Sequence, residues 1–159
     1  MNNPITLRPI GTDDQAFLSR VYASTREEEL APLPWTEAQK ESFLRMQFTA
    51  QHNYYQEQFP DAAFDVILRD GQPIGRLYVH RRPDELSIVD IALLPEHRRA
   101  GIGSGLLGKL LAEADAAGKP VRIHVEQYNP ALHLYKRLGF EVVDNTGVYF
   151  LMERVPRGA

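Results

Sequence analysis

The segment from Ile91 to Leu107 constrains this chain more tightly than any other. An apolar run, Ile91-Ala92-Leu93-Leu94, passes through Pro95-Glu96-His97 into Arg98-Arg99-Ala100. It continues through Gly101-Ile102-Gly103-Ser104-Gly105 to Leu106-Leu107. This pattern predicts a strand, a basic glycine-rich turn and a helix in immediate succession. The first turn of a helix holds backbone N–H groups with no internal partner, and the helix dipole adds positive potential there. Glycines let an oxyanion reach those groups without a Cβ in the way, and Ser104 offers a hydroxyl donor. A diphosphate fits such a turn. Two common phosphate motifs do not match. The P-loop needs a lysine after its last glycine, where Leu106 and Leu107 stand, and the dinucleotide fingerprint needs glycine at position 106. The glycines alone are equally compatible with a strand–helix connection whose arginines simply face solvent.

The elements on either side follow from periodicity and punctuation. Ile5, Leu7 and Pro9-Ile10 predict a first strand ending at Gly11. Thr12-Asp13-Asp14-Gln15 has capping-box spacing before Phe17, Leu18, Val21 and Tyr22 at helical intervals. Pro32 and Pro34 interrupt that helix. Thr36-Glu37-Ala38-Gln39 opens a second, running to about Gln58, with Phe43, Met46, Ala50 and Tyr54 as its expected apolar face. From Ala63 the period becomes that of strands. Phe64 to Leu68 meets Asp70-Gly71, a two-residue hairpin signal, then Ile74 to Val79 returns and Leu86 to Leu94 forms a third strand. Gly101 to Ala117 reads as a helix buried along Leu106, Leu107, Leu110, Leu111 and Ala114. Val121 to Glu126 alternates as a strand. Asn129-Pro130 reads as a cap and first helical position, and Phe140 to Val143 with Val148 to Met152 makes a closing hairpin. The order is β-α-α-β-β-β-α-β-α-β-β, a mixed α/β sheet with helices on both faces.

Charge decides how a phosphate ligand must be captured. The net charge is −3 over 159 residues, which gives no global attraction to nucleic acid or anionic lipid. Arg98 and Arg99 must supply positive charge locally. The absence of cysteine excludes disulfides, thiolate metal sites and a cysteine nucleophile. MNNPITLRPI has neither a basic start nor an apolar run suited to a signal peptide or membrane span, so the cytoplasm is the expected location. No repeat or linker divides the chain, and one domain over residues 1–159, with its core over about 5–154, is expected.

Arg98-Arg99-Ala100-Gly101-Ile102-Gly103 fits the Arg/Gln-x-x-Gly-x-Gly/Ala signature of the GNAT superfamily of N-acetyltransferases, which the chain resembles. A second family element is matched by Asn129-Pro130-Ala131-Leu132-His133-Leu134-Tyr135-Lys136-Arg137-Leu138-Gly139-Phe140, and the order of elements agrees from Ile5 to Met152. The resemblance implies a GNAT-type mixed, largely antiparallel central sheet of about seven strands flanked by four helices. It also implies acetyl-CoA as acyl donor, with no metal.

By the same resemblance, the diphosphate would sit on the backbone of Arg98, Arg99, Ala100, Gly101, Ile102, Gly103 and Ser104. The pantetheine arm would lie beside Ile91, Ala92 and Leu93, where that strand separates from the Val121 to Glu126 strand. The Leu93 N–H would polarise the thioester carbonyl as an oxyanion contact. Asn129 would bond the pantetheine or the start of its own helix. Tyr135 holds the family's general-acid position and also meets the cofactor. A phenol, with an ordinary pKa near ~10, stays protonated at neutral pH. Read from helical spacing alone, Tyr135 is equally a packing residue beside Leu134 and Leu138.

The base is less determined. Ser87 stands where some members carry a glutamate, and a hydroxyl is no base. His124 matches a position where ribosomal-protein acetyltransferases tend to place a catalytic glutamate, and an imidazole pKa near ~6.5 suits the task. Glu126 shares its strand face and Asp90 lies on the central strand. The order of preference is His124, Glu126, Asp90, each also readable as a solvated polar residue. Trp35, Gln51, His52, Tyr54, Tyr55 and Tyr149 are candidates to line an acceptor cleft, and Glu27-Glu28-Glu29 to attract a cationic amine. The leading expectation is acetylation of a primary amine on a small molecule or peptide. The alternatives are a protein N-terminus or lysine as acceptor, and a non-catalytic acyl-CoA-binding sensor. A homodimer is compatible with the family pattern.

Overall fold

Asp70 and Gly71 both adopt left-handed backbone, at φ 52° and 78°, and close the expected tight hairpin between β2 (Ala63–Arg69) and β3 (Gln72–Arg81). The structure, a computed structural model, describes residues 4–158. Around that hairpin lies a seven-stranded sheet in the order β1 (Ile5–Pro9), β2, β3, β4 (Leu86–Leu93), β5 (Val121–Glu126), β7 (Tyr149–Arg154), β6 (Glu141–Asn145), with four α-helices among the described residues. The sheet is mixed and largely antiparallel, as the family resemblance implied. Two compact units divide the residues: Met1–Leu77 with Ile91–Arg98, and Tyr78–Asp90 with Arg99–Ala159.

In the first unit, β1 (Ile5–Pro9) pairs antiparallel with β2, from Ile5↔Arg69 to Pro9↔Asp65. The cap expected at Thr12 forms differently. Thr12–Asp14 is a short 3-10 turn, and the Asp14 carboxylate reaches back to accept from the Gly11 N–H at 2.7 Å. Arg8 grips the same carboxylate through both terminal nitrogens, at 2.8 and 2.9 Å. The Arg8 hydrogen bonds hold Asp14 down at about 2 despite its burial. Helix α1 (Gln15–Leu30) follows. Helix α2 (Glu37–Gln58) opens on the reciprocal Thr36–Gln39 capping box read from the sequence, with bonds of 2.9 and 3.1 Å.

The buried face of α2 is not the expected one. Phe48 packs against Leu18 and Tyr22 of α1, with Leu44 and Phe17 at the margin, while Met46 is 61% and Tyr54 56% exposed.

The second unit is built around α3 (Ile102–Ala117), whose Leu106, Leu107, Leu110, Leu111 and Ala114 are buried as the spacing predicts. Each leucine removed from water in this way contributes about 1.5–3 kcal/mol. Gly118, at φ 68°, ends the helix in the left-handed conformation usual for a glycine past a helix end. β5 (Val121–Glu126) runs parallel to β4 (Leu86–Leu93), pairing Leu86↔Val121, Ser87↔Arg122 and Ile88↔Ile123. On its other side β5 pairs antiparallel with β7 (Tyr149–Arg154), which in turn pairs with β6 (Glu141–Asn145).

Helix α4 (Leu132–Arg137) begins later than Asn129-Pro130 suggested. Asn129 Oδ1 accepts from the Ala131 N–H at 2.8 Å, forming a side-chain turn ahead of the helix. The end of α4 is latched by Arg154. Its Nε donates to the Leu138 carbonyl at 3.1 Å, and its fork grips Asp115 at 2.8 and 3.1 Å. No helix of the described residues is long and apolar enough to cross a membrane.

Candidate active site

Backbone conformation shapes the glycine-rich turn. Arg99 (φ 62°) and Gly101 (φ 78°) are both left-handed, and Gly101 caps α3. The first intrahelical bond runs from the Gly105 N–H to the Gly101 carbonyl at 3.0 Å. The amides of Ile102, Gly103 and Ser104 therefore precede the helix ladder and are available to an anion. A Cβ added at Gly101, Gly103 or Gly105 would meet nothing within 4 Å. At Gly103, then, neither dihedral strain nor neighbouring atoms demand a glycine.

Arg98 does not present its side chain as a free charge. Its Nε donates to the Leu93 carbonyl at 2.9 Å and its Nη2 to Ser24 Oγ at 3.3 Å. The peptide that follows Leu93 is held from a second side as well, since the Leu94 N–H donates to the Ile74 carbonyl at 2.8 Å. Next to Ile74, a side-chain carbon at Gly75 would overlap the Ala92 carbonyl oxygen and lie 3.1 Å from Leu93 Cα. Gly75 carries a signal in the sequence, because a lone glycine inside a strand pattern marks close backbone approach, but that signal names no partner.

In the second unit the β4–β5 ladder stops at Ile88↔Ile123, while β5 continues to Glu126 and Val89 and Asp90 follow on β4. Tyr135, on α4, is buried to 5% exposure and packs edge-on against Phe140, with ring centroids 5.7 Å apart. Burial, followed by the nearby charge of Asp90, pushes its phenol up to about 12. The group is therefore a neutral O–H donor at any physiological pH. The inward-facing Val121, Ile123 and Val125 are buried, while His124 and Glu126 lie exposed on the opposite face of β5, in register with Leu151 and Tyr149. Ser87 is engaged in donating to Glu85 at 2.8 Å.

The acceptor candidates divide. Gln51 accepts from the buried Arg76 at 2.9 Å. His52 stacks on Phe48 at 5.5 Å and lies 3.2 Å from the Gln15 amide nitrogen. Burial, and then Arg76, lower the His52 pKa, so its imidazole favours the neutral form. Tyr55 packs with Phe59, whereas Trp35, Tyr54 and Tyr149 are exposed. A cleft of about 890 Å³ opens between α1 and α2, lined by Leu44 and Phe48 and by charges of both signs, Glu27, Glu37 and Glu41 beside Arg20, Lys40 and Arg45. Among the described residues, no group of three or more histidine, aspartate or glutamate side chains is placed to hold a metal ion.

The GNAT family of acetyltransferases has a sequence model that matches residues 24–140, a stretch containing both the glycine-rich turn and Tyr135. The chain belongs to this family. Over 85 residues it is 32% identical to the ribosomal protein bS18-alanine N-acetyltransferase of Haemophilus influenzae, a stretch that spans 53% of this chain and 58% of that relative. Its fold matches the PaiA N-acetyltransferase of Thermoplasma acidophilum, solved in complex with coenzyme A, with a TM-score of 0.71 and 22% identity over 96% of this chain and 99% of that one. It also matches the ribosomal-protein-S18-alanine N-acetyltransferase of Escherichia coli, with a TM-score of 0.63 and 18% identity over 98% and 97% of the two chains.

Proposed function

We propose that this chain transfers an acetyl group from acetyl-CoA directly to a primary amine of a peptide or small molecule, with Tyr135 as general acid. The observation that carries this reading is the state of Tyr135, a phenol shielded from water and held neutral, inside the segment that matches the family. A passive acyl-CoA-binding module has no use for such a donor.

In this reading the diphosphate rests on the backbone from Arg98 to Ser104, with Arg99 adding charge. The pantetheine arm follows Ile91, Ala92 and Leu93 beyond the end of the β4–β5 ladder. The Leu93 N–H takes up the charge that develops on the thioester oxygen. The amine nitrogen bonds to the carbonyl carbon, the tetrahedral species collapses, and the carbon–sulfur bond breaks. The departing thiolate receives its hydrogen bond and proton from Tyr135. The nucleophile's own proton goes to a base, with His124 first, Glu126 second and Asp90 third. Asp90 has a further use, because its charge opposes ionisation of the phenol.

A narrower reading, an α-amino group at a protein N-terminus, is supported by the 32% identity to the bS18-alanine acetyltransferase. One panel separates the possibilities. Acetyl-CoA is mixed in turn with short peptides bearing a free α-amino group, with N-blocked lysine peptides, and with small diamines, and thiol release is followed with mass detection of the product. Acetylated peptide or diamine is the expected result. Thermal stabilisation by acetyl-CoA with no thiol released from any acceptor would leave only a binding domain.

A further inference from the structure

We infer that the Arg98 side chain positions the backbone at Leu93, through the peptide that follows it, and is not a charge offered to the diphosphate. The inference rests on the proposed reaction, since it concerns the backbone that would polarise the thioester. Three features converge there. Arg98 Nε donates to the Leu93 carbonyl at 2.9 Å. The Leu94 N–H, in the same peptide unit as that carbonyl, donates to the Ile74 carbonyl at 2.8 Å, so the unit that adjoins the Leu93 N–H across one Cα is held at both ends. Gly75 leaves the room in which the Ala92–Leu93 backbone lies against β3, where any Cβ would collide with the Ala92 oxygen. The Arg98 fork is braced in turn by Ser24 of α1, whose hydroxyl donates to the Val21 carbonyl at 2.7 Å. An oxyanion donor works only when it is fixed before charge develops, and a displacement of about 1 Å at such a group costs on the order of 100-fold in rate. The first residue of the phosphate turn thereby sets the orientation of the strand end that precedes it.

Side-chain chemistry supplies the test. A glutamine places its amide nitrogen the same number of bonds from Cα as arginine places Nε, so it retains the N–H donor without the charge. Lysine retains the charge without that donor geometry. Steady-state kinetics of Arg98→Ala, Arg98→Gln and Arg98→Lys, with acetyl-CoA and with acetyl-pantetheine, separate the two roles, because the short donor has no diphosphate. For Arg98→Ala the expected result is a kcat lowered by about 10- to 100-fold with either donor, and a KM for acetyl-CoA within about 3-fold of wild type. Arg98→Gln is expected to restore most of the rate, and Arg98→Lys is not. A raised KM confined to acetyl-CoA, rescued by lysine and not by glutamine, would overturn the inference while leaving the acetyl transfer intact. Lack of turnover in the wild-type protein would instead remove the reaction on which it rests.

Discussion

The mouth of α3 and the length of α2 obey the same helix rules with unlike outcomes. At α3 the left-handed Gly101, the leucine stripe and the terminal Gly118 agree on one arrangement, and that arrangement is found. At α2 the start is well marked by Thr36 and Gln39, yet the face is not. Apolar residues recur on two sides of the helix, and the stripe through Phe43, Met46, Ala50 and Tyr54 lost to the one through Leu44 and Phe48. The difference shows what kind of information a local sequence holds. Backbone-dictated features are fixed by residue type at one position, whereas the choice between two weak stripes is fixed by partners distant in sequence. Here those partners are Leu18 and Tyr22.

That contrast can be broken first through stability. Replacing Phe48 by alanine empties a buried site and is expected to lower stability by about 3 kcal/mol or more, while Met46→Ala should stay within about 0.5 kcal/mol. Urea midpoints of the two variants measure this, and equal losses would return α2 to its sequence-read face. On the other side of the comparison, Tyr135→Phe should reduce kcat by about 100-fold, or about 2.7 kcal/mol, with the dissociation constant for acetyl-CoA unchanged. Parallel loss of affinity would make the residue a packing element. A smaller effect is expected from Gly103→Val. It should weaken coenzyme A by about 10-fold in calorimetry, because a branched side chain would stand before the helix amides, while the melting temperature changes little. An equal fall in folding would make the glycine structural.

The pH responses sharpen the picture further. With its phenol at about 12, Tyr135 should contribute no falling limb to the rate profile between pH 7 and about pH 10. A decline there that disappears in Tyr135→Phe would contradict this. Asp14 and Asp115 are both held down to about 2 by their arginine partners. Because these folded values lie below the unfolded ones, the stability they contribute is complete above the unfolded carboxylate range and is lost as pH falls toward 2. Acid titrations of Asp14→Asn and Asp115→Asn should be flatter than wild type in that window and parallel above it.

Much of the fold was legible because strands and helices alternate with clear punctuation. Asp70-Gly71 and Gly118 act through their own backbone and Thr36-Gln39 through side chains that bond the adjacent backbone, and each does in the structure what its chemistry dictates. Side-chain reach was less legible. No residue type marks Arg98 as a partner of Leu93, because that short-range bond depends on the backbone path through the turn between them. Nothing local marks Arg154 as the latch that ties Asp115 to the end of α4, because that depends on where the chain returns. Asn129 shows the intermediate case. The sequence marks it as a cap, and the structure moves the helix start to Leu132 because Pro130 sits inside a side-chain turn. Acceptor recognition was least legible of all, since polar and aromatic residues at helical spacing do not say which neighbours they will meet; Gln51 accepts from Arg76, and His52 stacks on Phe48.

The central claim is that unladdered amides at the start of α3 hold a diphosphate and so deliver a thioester to Tyr135. A crystal structure with coenzyme A tests it most directly. The expected result is a diphosphate within hydrogen-bonding distance of the Ile102, Gly103 and Ser104 amides, with the sulfur beside the Tyr135 hydroxyl. Coenzyme A bound with its diphosphate elsewhere, or with its sulfur remote from that phenol, would contradict the account.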